Sequence, residues 1–172
     1  MGLIARLFGR KQDEHAAVRP LWTEAVRIAR TREWYARGGI ADTVPGRFDA
    51  LSLVMALILL RMEQSEGLKA EPARLTELFV TEMDGTLRQQ GVGDLVVGKR
   101  VAKLMSALGG RIEAYREGLA ASDPAVLEGA VQRNVTLTDT GDAAWLAAEV
   151  RGLAAALAKT DDDALLAGRI AR

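Results

Sequence analysis

The chain has no cysteine among its 172 residues and one histidine, His15. Without cysteine there is no disulfide framework, no thiol nucleophile and no cysteine-held metal or cluster. Ser–His–Asp and Cys–His catalysis, paired-histidine zinc sites and di-iron sites built on Glu-x-x-His all need residues that the chain lacks or has only once. No metal and no cofactor is expected. A surplus of either sign is also missing: 23 Lys+Arg balance 23 Asp+Glu. General nucleic-acid binding, which draws on excess positive charge, is therefore not expected. Long apolar runs are absent too. The longest, Leu53 to Leu60, has eight residues and stops at Arg61, whereas a spanning helix needs about 20. The opening MGLIARLFGRK has neither the apolar stretch nor the small-residue cleavage site of a secretory leader, and Arg6 stands where N-myristoylation requires Ser or Thr. The expected location is cytoplasmic.

What is present is the composition of a globular protein, 49% hydrophobic and 27% charged. Charge alternates along the chain: net +4 over 1–47, −4 over 48–86, +3 over 87–121 and −3 over 122–172. Such blocks give patches of opposite sign that serve to orient a partner or to pair internally.

The hydrophobic period is helical almost throughout. Val18, Leu21, Trp22, Ala25, Val26 and Ala29 predict an amphipathic helix that Gly38-Gly39 ends. Pro45 starts the next, and from Phe48 to Met62 nearly every face is apolar, which predicts the buried centre of the fold. Pro72 opens a third helix with the stripe Leu75, Leu78, Phe79, Met83, Leu87. Beyond Gly91-Val92-Gly93 a long fourth helix is capped by Asp94, and Gly109-Gly110 inside it predicts a kink or a close helix contact. Asp123-Pro124, Thr140 and the pair Thr160/Asp163 predict three further helix starts. The β-like stretch NVTLT (134–138) is too short to matter. The reading is a single compact all-α domain over 17–172 with a central buried apolar helix, preceded by an amphipathic or flexible arm over 1–16.

The segment Thr81–Arg116 carries the most information. Met83-Asp84, Leu87-Arg88, Gly91-Val92-Gly93-Asp94-Leu95 and Gly98-Lys99-Arg100 together resemble the signature of the ubiquinol–cytochrome c chaperone family, bacterial relatives of a mitochondrial assembly factor for cytochrome b of respiratory complex III. The resemblance takes in Trp34-Tyr35, Asp42-Thr43 and Gly46-Arg47-Phe48 upstream, and Gly110-Arg111, Tyr115 and Arg133-Asn134 downstream, so it spans about 18–135 and leaves 136–172 as a helical extension. Gln89, Met55 and Gly109 depart from the family pattern. The resemblance implies a non-catalytic chaperone that binds newly made cytochrome b, a protein client, with no nucleic acid and no small-molecule substrate.

The candidate partner-binding residues are Asp84, Arg88, Asp94, Lys99, Arg100 and Lys103, although Asp84 and Arg88 also make an ordinary i, i+4 helix pair. Gly91–Asp94 is a helix–helix turn with a cap; no strand precedes it, as a phosphate cradle requires. Arg47 and Arg111 are read as structural forks onto a carboxylate such as Asp42, Asp84 or Asp94, tying helices together, with Asn134 a further structural polar residue. In the arm, Leu3, Ile4, Leu7 and Phe8 form one apolar face among Arg6, Arg10 and Lys11, which suits weak contact with an anionic membrane surface and a peripheral location on the inner membrane. Two other readings stay open: an enzyme using Asp84 and Asp94 as a general acid/base pair, and a helical dimerisation domain without a client.

Overall fold

A computed structural model describes residues 14–88 and 97–170. Eight helices form there: α1 (Arg19–Ala29), α2 (Arg32–Ala36), α3 (Val44–Met62), α4 (Glu71–Arg88), α5 (Val97–Ala120), α6 (Pro124–Asn134), α7 (Ala143–Lys159) and α8 (Asp162–Leu166). Helix α3 is the axis of the bundle. Thr43 accepts from the Gly46 N–H to start it, Pro45 sits in its first turn, and its side chains from Asp49 to Leu60 are all buried. Helices α1, α5 and α7 pack around it, so an apolar surface on every face has a partner on every face.

Helix α1 buries Leu21, Trp22, Ala25, Ile28 and Ala29. Phe79 of α4 meets the Trp22 ring edge-on, with centroids 6.3 Å apart. Helix α5 crosses α6 where Gly118 faces Leu127: a Cβ on Gly118 would lie 2.8 Å from the Leu127 Cα, so only glycine permits this approach.

Several local expectations are corrected. The first helix does not continue to Gly38-Gly39. It stops at Ala29, because the Thr31 hydroxyl and N–H both turn back to the Ile28 carbonyl and the Tyr35 hydroxyl donates to the Ala29 carbonyl at 2.8 Å. The NVTLT stretch matters after all: Leu137 bridges Ile40, the Ala41 N–H reaches the Thr136 carbonyl, and the Thr138 N–H reaches Gly39. Gly39 there has φ +72°, and its missing side chain admits the Gly141 backbone. Helix α7 is capped by Asp142, not Thr140, with the Trp145 N–H donating to its carboxylate at 2.9 Å. Helix α8 is capped by Asp161, while Thr160 closes α7 by donating to the Ala156 carbonyl. A Cβ added at Gly109 or Gly110 would find open space, so the two glycines mark no close helix contact.

The carboxy-terminal helices are built into the core. Arg61, at the end of α3, donates to the carbonyls of Leu157 and Thr160 and to the Asp162 carboxylate, the last at 2.9 Å. Ser65 also donates to Asp162. Arg151 of α7 donates to the carbonyls of Gly118 and Leu119, satisfying groups that the end of α5 would leave unbonded.

Candidate functional site

The polar centre of the molecule is an ion pair that the sequence pattern half reveals. Arg111 of α5 points inward and donates to Asp49 on the first turns of α3, to the Ala107 carbonyl and to the Asn134 carbonyl. The second Asp49 oxygen accepts from the Thr136 N–H and hydroxyl, at 2.9 and 2.7 Å. The Asn134 amide turns back to the Ala130 carbonyl. One carboxylate and one guanidinium thus fasten α3, α5, the end of α6 and the strand-like segment after it. The guanidinium also stacks over the Phe48 ring, 5.5 Å from its centroid. One turn on, Tyr115 is fully buried, and that burial pushes its phenol well up, against the pull of Arg111. It stays neutral at any ordinary pH.

This fixture sets the wall of a groove. Phe48 and Leu51 of α3, Val26 and Ala29 of α1, Tyr35 of α2, Met83 of α4 and Leu104 of α5 give a groove of about 1400 Å³ with an apolar floor. Its rim is cationic: Arg30, Arg32, Arg47 and Lys103 line it, against Asp42 as the acid among the described lining residues. Asp42 is engaged by Arg47 at 2.7 Å, and that hydrogen bond holds its carboxyl below the usual range. Burial pushes the Tyr35 phenol up, with Arg47 and Arg30 opposing. Val44, at the mouth of the groove, is 57% exposed, unusual for a valine in the first turn of a core helix.

The residues singled out from sequence fall in different places. Lys103 lines the groove and Lys99 is exposed one turn before it. Asp84 is half-buried on α4. Asp94 lies outside the described residues, as do the side chains of Arg88 and Arg100 and the arm residues Leu3, Ile4, Leu7 and Phe8. Arg111 ties α5 to α3 through Asp49, not through Asp42, Asp84 or Asp94. Arg47 does not: it pairs with Asp42 five residues away, at the surface. The sequence pattern did not single out Asp49, yet it is the one acid in a helix whose other charges are Arg47 and Arg61, which is its signal. Arg30 and Arg32 were foreshadowed only by the positive excess of residues 1–47.

An apolar groove with a cationic rim on an all-helical scaffold has the surface chemistry that complements a polypeptide with mixed apolar and polar surface. The chain belongs to the ubiquinol–cytochrome c chaperone family, whose sequence model it matches over residues 36–172. That match runs through α7 and α8, beyond the span over which the resemblance was drawn from sequence. It is also similar to a solved structure, the crystal structure of the Cbp3 homolog from Brucella abortus: 35% identity, TM-score 0.80, covering 98% of this chain and 96% of that one. No curated protein matches it. No helix among the described residues is long and apolar enough to cross a membrane.

Proposed function

We propose that this chaperone holds newly made cytochrome b, without catalysis, and that it does so in the groove between α1, α2, α3 and α5. The observation that carries this reading is the pairing of a wide apolar floor with the unbalanced cations of the rim. A membrane protein awaiting its partners exposes apolar helix surface, which the floor can cover, and polar flanks, which the rim can orient. Lys103 lines this groove, and Asp84, Arg88, Asp94, Lys99 and Arg100 are proposed as further contacts to the client. Release follows from competing affinity as assembly partners arrive, since a ligand or partner shifts such an equilibrium only through differential binding. The arm, with Leu3, Ile4, Leu7 and Phe8, is proposed to bring the protein weakly to the membrane surface where such a client lies.

The test is capture of cytochrome b from detergent-solubilised membranes by the purified protein. Combined Arg47→Glu and Lys103→Glu, both at exposed positions, should abolish capture while leaving the melting temperature nearly unchanged. Retained capture would remove the groove from the proposal. Failure of the wild-type protein to capture anything would remove cytochrome b.

A further inference from the structure

A second hollow, of about 620 Å³, lies between α4 and α5. Val80, Val101, Met105 and Ile112 make it apolar, and Met105 is 43% exposed there. Among the described residues, the charged ones lining it are both acids: Glu63, which Arg116 engages at 2.8 Å, and Glu77. Glu77 has a second neighbour. The His15 ring lies 3.7 Å from its carboxylate, so the chain enters the described fold at the rim of this hollow.

What precedes His15 has matching chemistry. Leu3, Ile4, Leu7 and Phe8 fall on one face at helical spacing, and Arg6, Arg10 and Lys11 surround that face with positive charge. Six residues separate Phe8 from His15, and at about 3.3 Å each they reach about 20 Å. The α4 wall of the hollow, from Pro72 to Thr81, is about 14 Å long at 1.5 Å per residue. The arm therefore has the reach, the apolar face and the charge for this site. Tethering also gives it an effective concentration that offsets the weak helicity of so short a segment.

We propose that residues 1–13 dock back onto their own domain, with Leu3, Ile4, Leu7 and Phe8 covering the apolar hollow between α4 and α5 and their basic neighbours facing Glu77. In this arrangement the face that would meet a membrane is stored on the protein until a competing surface is present. The hollow is separate from the groove proposed for the client, so capture of cytochrome b can fail or succeed independently of this docking.

The absence of cysteine makes the test direct. In the full chain, Leu7→Cys combined with Met105→Cys should be joined by a short thiol-reactive crosslinker into an intramolecular product at least tenfold faster than Leu7→Cys combined with Ala148→Cys, an exposed position on α7. Adding Leu3→Asp and Phe8→Asp should erase the difference. Hydrogen exchange in residues 101–112 should rise several-fold in a Leu3→Asp, Leu7→Asp variant. Equal crosslinking rates for the two pairs, with exchange unchanged, would overturn the proposal. Products joining two chains would assign the hollow to a second copy instead. Protection of the arm only after addition of phosphatidylglycerol vesicles would leave the membrane as its sole partner.

Discussion

Arg47 and Arg111 each follow a glycine, and the two regions they serve behave in opposite ways. In Gly110-Arg111 the guanidinium turns inward, and it and Asp49 are only 13% and 10% exposed. In Gly46-Arg47 the pair with Asp42 is 66% and 67% exposed. The first joins residues 62 positions apart and the second residues five apart. Buried charges depend on one another, because neither can return to water without unfolding the domain. Exposed ones have water as a ready substitute. The same dipeptide thus builds a fixed wall at one place and a solvent-facing rim at the other.

The largest effect should come from the inner pair. Arg111→Ala leaves Asp49 buried and short of its partner, and should cost about 3–5 kcal/mol in denaturant unfolding. Replacing both, Asp49→Leu with Arg111→Met, should recover much of that loss, though not all, since the Thr136 N–H and hydroxyl lose their acceptor. A double variant as unstable as Arg111→Ala would show that the pair fastens the fold through more than charge balance. Next in size are the caps. Asp142→Ala should cost about 1 kcal/mol, and Thr140→Ala almost nothing.

A third, intermediate region is the Arg61–Asp162 contact. Hydrogen bonds from Ser65 first, then Arg61, hold the Asp162 carboxyl below its ordinary value of 3.8. A carboxyl lowered on folding stabilises the fold above its unfolded value and loses that contribution as pH falls through the folded one. Acid unfolding scans below about pH 4 should therefore be less steep in Asp162→Asn than in the wild type, and the two should run parallel near neutrality. The smallest effect is reserved for the rim: Arg47→Ala should leave the melting temperature within error of wild type, because both members of its pair are mostly exposed. A clear drop would mean that the rim is as fixed as the wall.

Which features could be seen in advance follows from how far away their causes lie. Asp123 capping α6 and the Thr43–Pro45 start of α3 involve neighbours two or three residues on, so sequence spacing contains them. The apolar run of α3 announces its own burial. The end of α1 depends on Tyr35 reaching back six residues, which periodicity does not register. The bridge between Ile40 and Leu137, and the choice of Asp49 by Arg111, are set only when distant segments pack. For the site, Lys103 was visible as a charge on the long helix, but the groove was not, because its floor is assembled from α1 through α5.

The contact between Arg61 and the end of the chain also has a clock in it. Its acceptors lie 96, 99 and 101 positions later in the sequence. At a synthesis rate of about 5–20 residues per second, Asp162 is made roughly 5–20 s after Arg61. At the start of that interval α3, apolar on nearly every side, has α1 to lean on; α5 arrives partway through, and α7 only near the end. Before it can shelter another unfinished protein, this chaperone is itself an unfinished protein with its greasiest helix uncovered, and the ribosome sets how long that lasts.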